Sequence, residues 1–263
     1  MRDSSDLALL RLFYPIGTMI SPEKTGLEGA KFRSLISSLQ RAGFVFNVTE
    51  REFSLLREPE LLSPHAILAR LRTNTIGRDV IVFRETSSTN DRVKQAGFFG
   101  ANEGLAIFAE TQSNGRGTYG RKWVSRAGDG LWFSILLRSR ILPNELPRLV
   151  RLAAVACAEV IERSVAKPVR IKPPNDLFLE NGKLAGFLLE TSNDWNFQVL
   201  GIGINIRSAP LLPGCPTAAM DQFSRTPISR NSLAAELLEG LENWYLSKSS
   251  EKVELAFESR SSM

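Results

Sequence analysis

Between residues 80 and 206 apolar runs alternate with short polar turns, and each run has roughly the length of a β-strand. The runs are Val80–Arg84, Leu105–Glu110, Leu131–Leu137, Val169–Ile171, Leu177–Leu179, Leu184–Glu190 and Phe197–Ile206. Their β-branched and aromatic content, bounded by Gly, Asn and Pro, predicts strands. Helical spacing appears instead over Asn90–Ala96, Glu145–Ala166 and Ser232–Ser247. In the middle helix Leu146, Leu149, Val150, Ala153, Cys157, Val160 and Ile161 recur on one face, the pattern of a helix laid over a sheet. Leu177–Leu179 and Leu184–Glu190 follow one another around Asn181-Gly182. Such tight turns predict a mixed, largely antiparallel sheet covered by helices, an α+β fold.

The first 62 residues carry a different pattern. Asp6–Phe13 and Lys31–Ala42 read as helices, the second with Leu35, Ile36 and Leu39 on one face and Gly43 at its end. Ser21-Pro22-Glu23 reads as an N-cap with proline at the first helical position. Phe44–Val48 and Arg51–Leu55 read as a hairpin. Three helices and a hairpin is the order of a winged helix-turn-helix; a generic helical cap bearing a hairpin fits the pattern equally. Arg57-Glu58-Pro59-Glu60 and Ser63-Pro64 interrupt the periodicity and divide the chain into residues 1–62 and 63–263.

With 263 residues, 43% hydrophobic and 23% charged, the chain can bury a sizeable core. A net charge of +5 suits an anionic ligand but is too small by itself to argue for nucleic acid. Cys157 and Cys215 form no metal or disulfide pattern and are expected to be buried free thiols in a reducing compartment. The first residues lack an apolar core of signal-peptide length, and no apolar run approaches about 18 residues, so a cytoplasmic location is the default expectation. The sole histidine, His65, falls at the boundary and reads as structural.

The densest chemistry lies in Ser113-Asn114-Gly115-Arg116-Gly117-Thr118-Tyr119-Gly120-Arg121-Lys122-Trp123. Glycines that adopt positive φ turn N–H groups into an anion-binding concavity, and arginine grips phosphate or carboxylate through two parallel hydrogen bonds. A solvated basic turn, with Trp123 as plain core, is the plainer alternative. Ser87-Ser88-Thr89-Asn90-Asp91, between a strand and a helix, supplies N-caps or else partners for a small polar ring, and Gln112 adds an amide nearby. Lys172-Pro173-Pro174-Asn175-Asp176 and Lys183-Leu184-Ala185-Gly186 bracket a turn. Two ammonium groups there would neutralise a carboxylate attacking a phosphate and the pyrophosphate that leaves. Asp176 would bind Mg²⁺ or accept a proton from an amine; a hairpin turn flanked by solvated lysines accounts for the same residues.

Taken together, Ser88-Thr89-Asn90, Gln112, Gly115-Arg116-Gly117, Gly120-Arg121-Lys122-Trp123, Pro174-Asn175-Asp176, Lys183-Leu184-Ala185-Gly186, Glu190 and Gly201-Ile202-Gly203-Ile204-Asn205 resemble the biotin protein ligases, in particular those that double as biotin-operon repressors. The resemblance covers residues 80–206 and extends more weakly to both ends. It implies a biotin/lipoate ligase catalytic domain that forms biotinyl-5′-adenylate from biotin and Mg²⁺-ATP. The biotinyl group then passes to a lysine of a biotin carboxyl carrier protein. It further implies a biotin site of Ser88, Thr89, Asn90, Gln112, Gly115, Arg116, Gly117, Trp123, Lys183 and Gly186. Arg121, Lys172, Asn175, Asp176 and Asn205 would hold ATP or the adenylate, with Lys183, Arg116 and Asp176 catalytic and Asp176 the candidate Mg²⁺ contact. The resemblance leaves the oligomeric state open, a dimer included.

This chain departs from the family pattern in four places. Thr118 stands where a further arginine is usual, and Pro173 where a tryptophan is usual. A small β-barrel is expected after the C-terminal helix, and no segment for one follows. The helix-turn-helix is about a turn short over Ser21–Ala30, and Thr49-Glu50-Arg51-Glu52 puts two acids on the wing, where phosphate contact favours bases. The N-terminal unit therefore reads as a vestigial DNA-binding domain, despite Lys31, Arg33 and Arg41. Two alternatives stand beside the ligase: a regulator that senses biotin or its adenylate, and a ligase for a related acyl cofactor such as lipoate. Arg207–Ser224 is either an apolar flap over the ligand or a passive connection.

Overall fold

The computed structural model describes residues 5–49, 51–138, 143–193, 196–246 and 249–261. The N-terminal unit runs α1 (Ser5–Leu12), β1 (Met19–Ile20), a 3-10 turn at Pro22–Thr25, α2 (Gly29–Arg41), β2 (Val45–Val48) and β3 (Phe53–Arg57). It closes on a core of its own, with Phe13 edge-on to Phe46 and Phe32 edge-on to Phe53. Two expectations change here. Ser21 makes no side-chain cap bond, and Gly26, left-handed at φ 66°, stops the turn after four residues. The two-residue β1, too short to show periodicity, pairs with β3 to give a sheet in the order β1-β3-β2. At the hairpin tip Thr49 N–H donates to Glu52 O at 2.9 Å; Glu50 of the expected wing lies outside the described residues.

Ser63-Pro64, which breaks the sequence pattern, begins a helix, α3 (Pro64–Arg70). The Ser63 hydroxyl accepts the Ala66 N–H at 3.4 Å, and proline occupies a first-turn position where its missing donor costs nothing. His65 lies in this helix, partly buried. The buried Glu58 joins the units: it accepts the Tyr14 hydroxyl and pairs with Arg70 at 3.1 Å, while Arg70 stacks over the Tyr14 ring. Burial, with Glu58 beside it, pushes the Tyr14 phenol well above its ordinary range.

The larger unit contains β4 (Val80–Thr86), α4 (Thr89–Phe98), β5 (Ala106–Gln112), β6 (Gly130–Leu137), α5 (Leu146–Val165), β7 (Val169–Lys172), β8 (Asp176–Leu179), β9 (Gly182–Thr191), β10 (Gln198–Asn205), α6 (Arg230–Leu246) and α7 (Ser250–Ser261). One seven-stranded sheet takes the order β4-β5-β6-β10-β9-β8-β7. β4 and β5, joined through α4, are parallel; the other neighbours are antiparallel. The two central strands, β6 and β10, are buried along their whole length, which is why they read as continuous apolar runs. α5 lays Leu149, Leu152, Ala153, Val160 and Ile161 against the sheet and α6. Burying each Leu or Ile of this kind stabilises the fold by about 1.5–3 kcal/mol.

Cys157 is buried in this layer, and burial pushes its thiol upward. Cys215 departs from expectation: it sits in a loop, partly exposed, its backbone bridging Leu212 and its thiol 3.8 Å from Pro216 O. α7 was not anticipated; it buries Val253 and Phe257 and little else. α6 begins two residues before the predicted Ser232, and Ser247, its predicted end, lies outside the described residues. Among the described residues no helix is long and apolar enough to cross a membrane.

Candidate active site

Residues paired across neighbouring strands share a face of the sheet. Trp132, Gly203, Gly186 and Asp176 therefore form one row over β6, β10, β9 and β8, and Ser134, Gly201 and Leu188 form the next. The adjoining Gly203 and Gly186 leave a trough in which the Trp123 indole lies. A Cβ at Gly203 would stand 2.4 Å from the Trp123 ring, so no larger residue fits beneath it. Trp123 also meets Trp132 edge to face at 6.3 Å, and its buried Nε1 has no hydrogen-bond partner. A buried donor left open next to a trough is a feature a ligand can satisfy.

Above the second row stands the start of α4. Ser88 occupies the N-cap position and is buried, yet its side chain makes no capping bond. Thr89 donates its N–H to Gln112 Oε1 at 2.8 Å, and its hydroxyl lies 2.7 Å from that of Ser134. The Ser134 hydroxyl donates to Asn90 Oδ1 at 2.5 Å, and Asn90 Nδ2 donates to Glu190 Oε2 at 2.6 Å. Gln112 Nε2 continues the chain to Ser125 Oγ at 2.8 Å. Hydroxyls and amides thus form one connected cluster of donors and acceptors at the end of the trough.

The Ser113–Trp123 segment folds as a hairpin. Trp123 N–H donates to Gly115 O at 2.9 Å, Gly117 N–H to Arg121 O at 2.7 Å, and Arg116 bridges Lys122. The expected concavity of positive-φ glycines is not what forms. Gly117 is extended at φ −115°, and the left-handed positions are Tyr119 (φ 57°) and Gly120 (φ 70°) at the tip. Gly115 is required for another reason: a Cβ there would lie 2.5 Å from the Trp123 carbonyl oxygen, where the two arms meet.

The hairpin brings Arg116 to the start of α4 and the end of β9. Its guanidinium grips Asp91 of α4 bidentately, at 2.9 and 2.6 Å, with Glu190 Oε1 at 3.5 Å. The Arg116 hydrogen bonds hold the Asp91 carboxyl below its ordinary range, so both partners stay charged at neutral pH. On the far side Lys183 Nζ lies 2.8 Å from Asp176 Oδ1, an ion pair whose angles leave that oxygen without an aligned hydrogen bond. Lys183 Nζ is also 5.4 Å over the Trp123 ring.

The remaining predicted residues divide. Asn205 donates to Ala218 O at 3.2 Å and to Lys183 O at 3.4 Å, which leaves its buried Oδ1 open. It lines a small cleft beside the trough with Val124, Arg126, Asp129, Trp132 and Ser208. Asn175 is spent on the backbone: its Nδ2 donates to Phe187 O at 2.8 Å and its carbonyl accepts Phe187 N–H at 3.0 Å. Arg121 and Lys172 are exposed, each over a neighbouring ring, Tyr119 and Phe178. Lys172 keeps its register opposite Asp176 despite Pro173. Arg207–Ser224 is not a loose connection, since Lys183 N–H donates to Pro216 O at 2.8 Å and Ala218 N–H returns to Lys183 O. Its tip, with Leu211 98% exposed, points to solvent.

Asp91, Ser125 and Ser134 were missed as site residues. Ser134 left a trace as one hydroxyl inside the apolar run Leu131–Leu137, and Asp91 as the last residue of the polar stretch Ser87–Asp91, though neither was given a role. No group of three or more His, Cys, Asp or Glu side chains able to hold a metal occurs among the described residues.

Residues 82–206 match the family model described as the biotin/lipoate A/B protein ligase family. The chain is 31% identical over 219 residues to the bifunctional ligase/repressor BirA of Bacillus subtilis, an alignment that takes in 80% of this chain and 67% of that one. It is 33% identical over 183 residues to the biotin–[acetyl-CoA-carboxylase] ligase of Mycobacterium tuberculosis, over 65% of this chain and 68% of that one. The alignments thus span about two thirds of these relatives. The structure of biotin protein ligase from Aquifex aeolicus in complex with biotin and ATP superposes with a TM-score of 0.62 at 26% identity, over 70% of this chain and 78% of that chain. On this agreement of site, sequence and fold, the chain belongs to the biotin/lipoate A/B protein ligase family.

Proposed function

We propose that this protein is a biotin protein ligase, which activates biotin with ATP and transfers it to a lysine of a biotin carboxyl carrier protein. The observation that carries this reading is the connected hydroxyl–amide cluster of Thr89, Asn90, Gln112 and Ser134, with Arg116 beside it on Asp91 and Glu190, and Lys183 next to the Trp123 ring. A ligand with a polar ureido ring, an apolar stem and a terminal carboxylate has that sequence of groups. The relatives' names, and the Aquifex aeolicus complex with biotin and ATP, point the same way.

In this reading Ser88, Thr89, Asn90 and Gln112 hold the ring, and Trp123 over Gly186 walls the stem. Gly115, Arg116 and Gly117 meet the carboxylate and the α-phosphate. A carboxylate oxygen forms a bond to the α-phosphorus as the bond to the β-phosphate oxygen breaks, and pyrophosphate leaves. Lys183, set between the two reacting anions, offsets charge that builds there. The amine of the carrier lysine then attacks the acyl carbon, and AMP departs. Asn205 and Asp176 form the nucleotide side, and Arg121, Lys172 and Asn175 are assigned to it as well, the first two as exposed cations free to turn towards a phosphate. A Mg²⁺ ion held mainly by phosphates needs few protein carboxylates, and Asp176 is the residue that would hold it. That ion supplies charge neutralisation on the triphosphate.

Residues 1–62 form a winged-helix-like unit with a diminished capacity for DNA. The single turn at Pro22–Thr25 and the acidic Glu52 support this, against Lys31, Arg33 and Arg41 exposed on α2. Residues 63–263 form the catalytic unit.

Biotin-dependent exchange of pyrophosphate into ATP tests the proposal. Exchange with biotin and little with lipoate is expected; exchange with lipoate alone, or with neither acid, overturns it. Thr118, whose carbonyl accepts the Arg121 N–H at 3.2 Å, offers no cation to the adenylate. One absent charge-assisted hydrogen bond costs about 1.5–3 kcal/mol, or about ten- to a hundredfold in residence time. Thr118→Arg is therefore expected to retain the adenylate longer and to label fewer bystander lysines than the wild type. Equal bystander labelling by the two proteins removes the role given to this position.

A further inference from the structure

We infer that Asp91 is an internal stand-in for the substrate carboxylate, holding Arg116 until the incoming acid takes its place, and that it thereby sets the affinity for acidic ligands. This rests on the reading of the trough as a biotin site. The guanidinium fork presents one planar edge to one carboxylate at a time. That edge is filled by Asp91, with Nη1 2.9 Å from Asp91 Oδ2 and Nη2 2.6 Å from Oδ1. Glu190 Oε1 waits at 3.5 Å from the same Nη2, and Lys183 is matched with Asp176. Arg116 and Lys183 are thus each already matched by carboxylates, so an arriving anion must displace one of these to reach either cation.

Asp91 is the one built to yield. Its side chain is 44% exposed, against 30% for Glu190 and 23% for Asp176. Glu190 is also tied down by the Asn90 amide at 2.6 Å. Asp91 lies in the first turn of α4, where the helix terminus favours an anion, and Arg92 and Lys94 lie beside it. Once released, it remains charged and solvated, so the exchange replaces one carboxylate with another on the same fork. A contact that only pinned the Ser113–Trp123 hairpin to α4 would behave differently, because its removal would loosen the site for every ligand.

Calorimetric titration of the full chain with biotin and with its primary-alcohol analogue separates these cases. In Asp91→Asn and Asp91→Ser the Kd for biotin is expected to fall about two- to fivefold, the scale of a partly exposed ion pair. The Kd for the alcohol, which has no carboxylate to exchange, is expected to stay the same. Two variants are used because both replacements suit a helix N-terminus and either one suffices. An unchanged biotin Kd, or parallel weakening of both ligands, overturns the inference. Failure of the wild type to bind either ligand strikes instead at the biotin reading.

Discussion

Lys183→Ala is expected to slow acyl-adenylate formation by about 10²- to 10³-fold, the usual effect of removing one preorganised group from developing charge. The residue is placed for this by three strands' worth of constraint. Its own backbone is bridged to Thr217, its carbonyl accepts Asn205 and Ala218, and its ammonium rests between Asp176 and the Trp123 ring. Lys172, turned outward over Phe178, does not reach the same place. The fold should survive the change. The Lys183 and Asp176 side chains are 20% and 23% exposed and Asp176 Oδ1 is buried, so removing the ammonium is expected to cost about 1–3 kcal/mol. Lys183→Arg keeps the charge but not the compact ammonium, so partial recovery is expected. Pyrophosphate exchange measures the rate, with thermal unfolding as the control. A fall of less than about threefold, with biotin binding intact, would remove Lys183 from the chemistry.

Glu110→Ala is expected to cost about 3–5 kcal/mol of stability, because it strands a buried guanidinium. The Glu110 and Arg230 side chains are 3% and 2% exposed and meet at 2.7 Å. Glu110 Oε1 also accepts the Leu62 N–H at 2.6 Å, and Arg230 donates to Glu60 O at 3.0 Å. Next to it Asn231 donates to Pro59 O at 3.1 Å and accepts the Ser63 N–H at 2.9 Å. Leu62 and Glu60 of the connection are therefore fastened to one ion pair near the end of β5, two residues before Gln112. Replacing both partners, Glu110→Leu with Arg230→Met, leaves no orphaned charge. The double variant should lose much less than the sum of the single losses. Urea denaturation of the four proteins in the cycle measures this. Single losses below about 1 kcal/mol, or additivity, would show that the pair does not hold the connection.

Both expected results depend on partners far apart in the chain, and that is where reading residues in order stops. The seven strands of the large sheet were legible to within two residues at each end. β6 and β10 are buried on both faces, and burial on both faces leaves an unbroken apolar run. α5 was legible because its buried stripe repeats for five turns. α3 and α7 were not, since α7 buries only Val253 and Phe257 and α3 begins at a proline that looks like an interruption. β1 has two residues and exists only through its pairing with β3.

The site was legible as residue types and not as geometry. Arg116, Lys183, Trp123, Gln112 and Thr89 announce themselves by chemistry, and the structure gathers them around one trough. Asp91 on Arg116 and Glu190 on Asn90 are contacts across 25 and 100 positions. The glycines were misjudged for a related reason. Gly115 is a glycine because the Trp123 carbonyl approaches it across the hairpin, a contact set by the pairing of the two arms and not by a positive φ.

The order of apolar and polar residues by itself determined the seven strands of the large sheet, the long helix and the stock of reactive side chains. Those follow from local burial, which leaves a period in the chain. Which carboxylate faces which cation, what Trp123 covers, and how the two units are fastened were decided only in three dimensions. Charges and rings interact through space within a few ångströms, and no periodicity records which distant residue the fold will bring there.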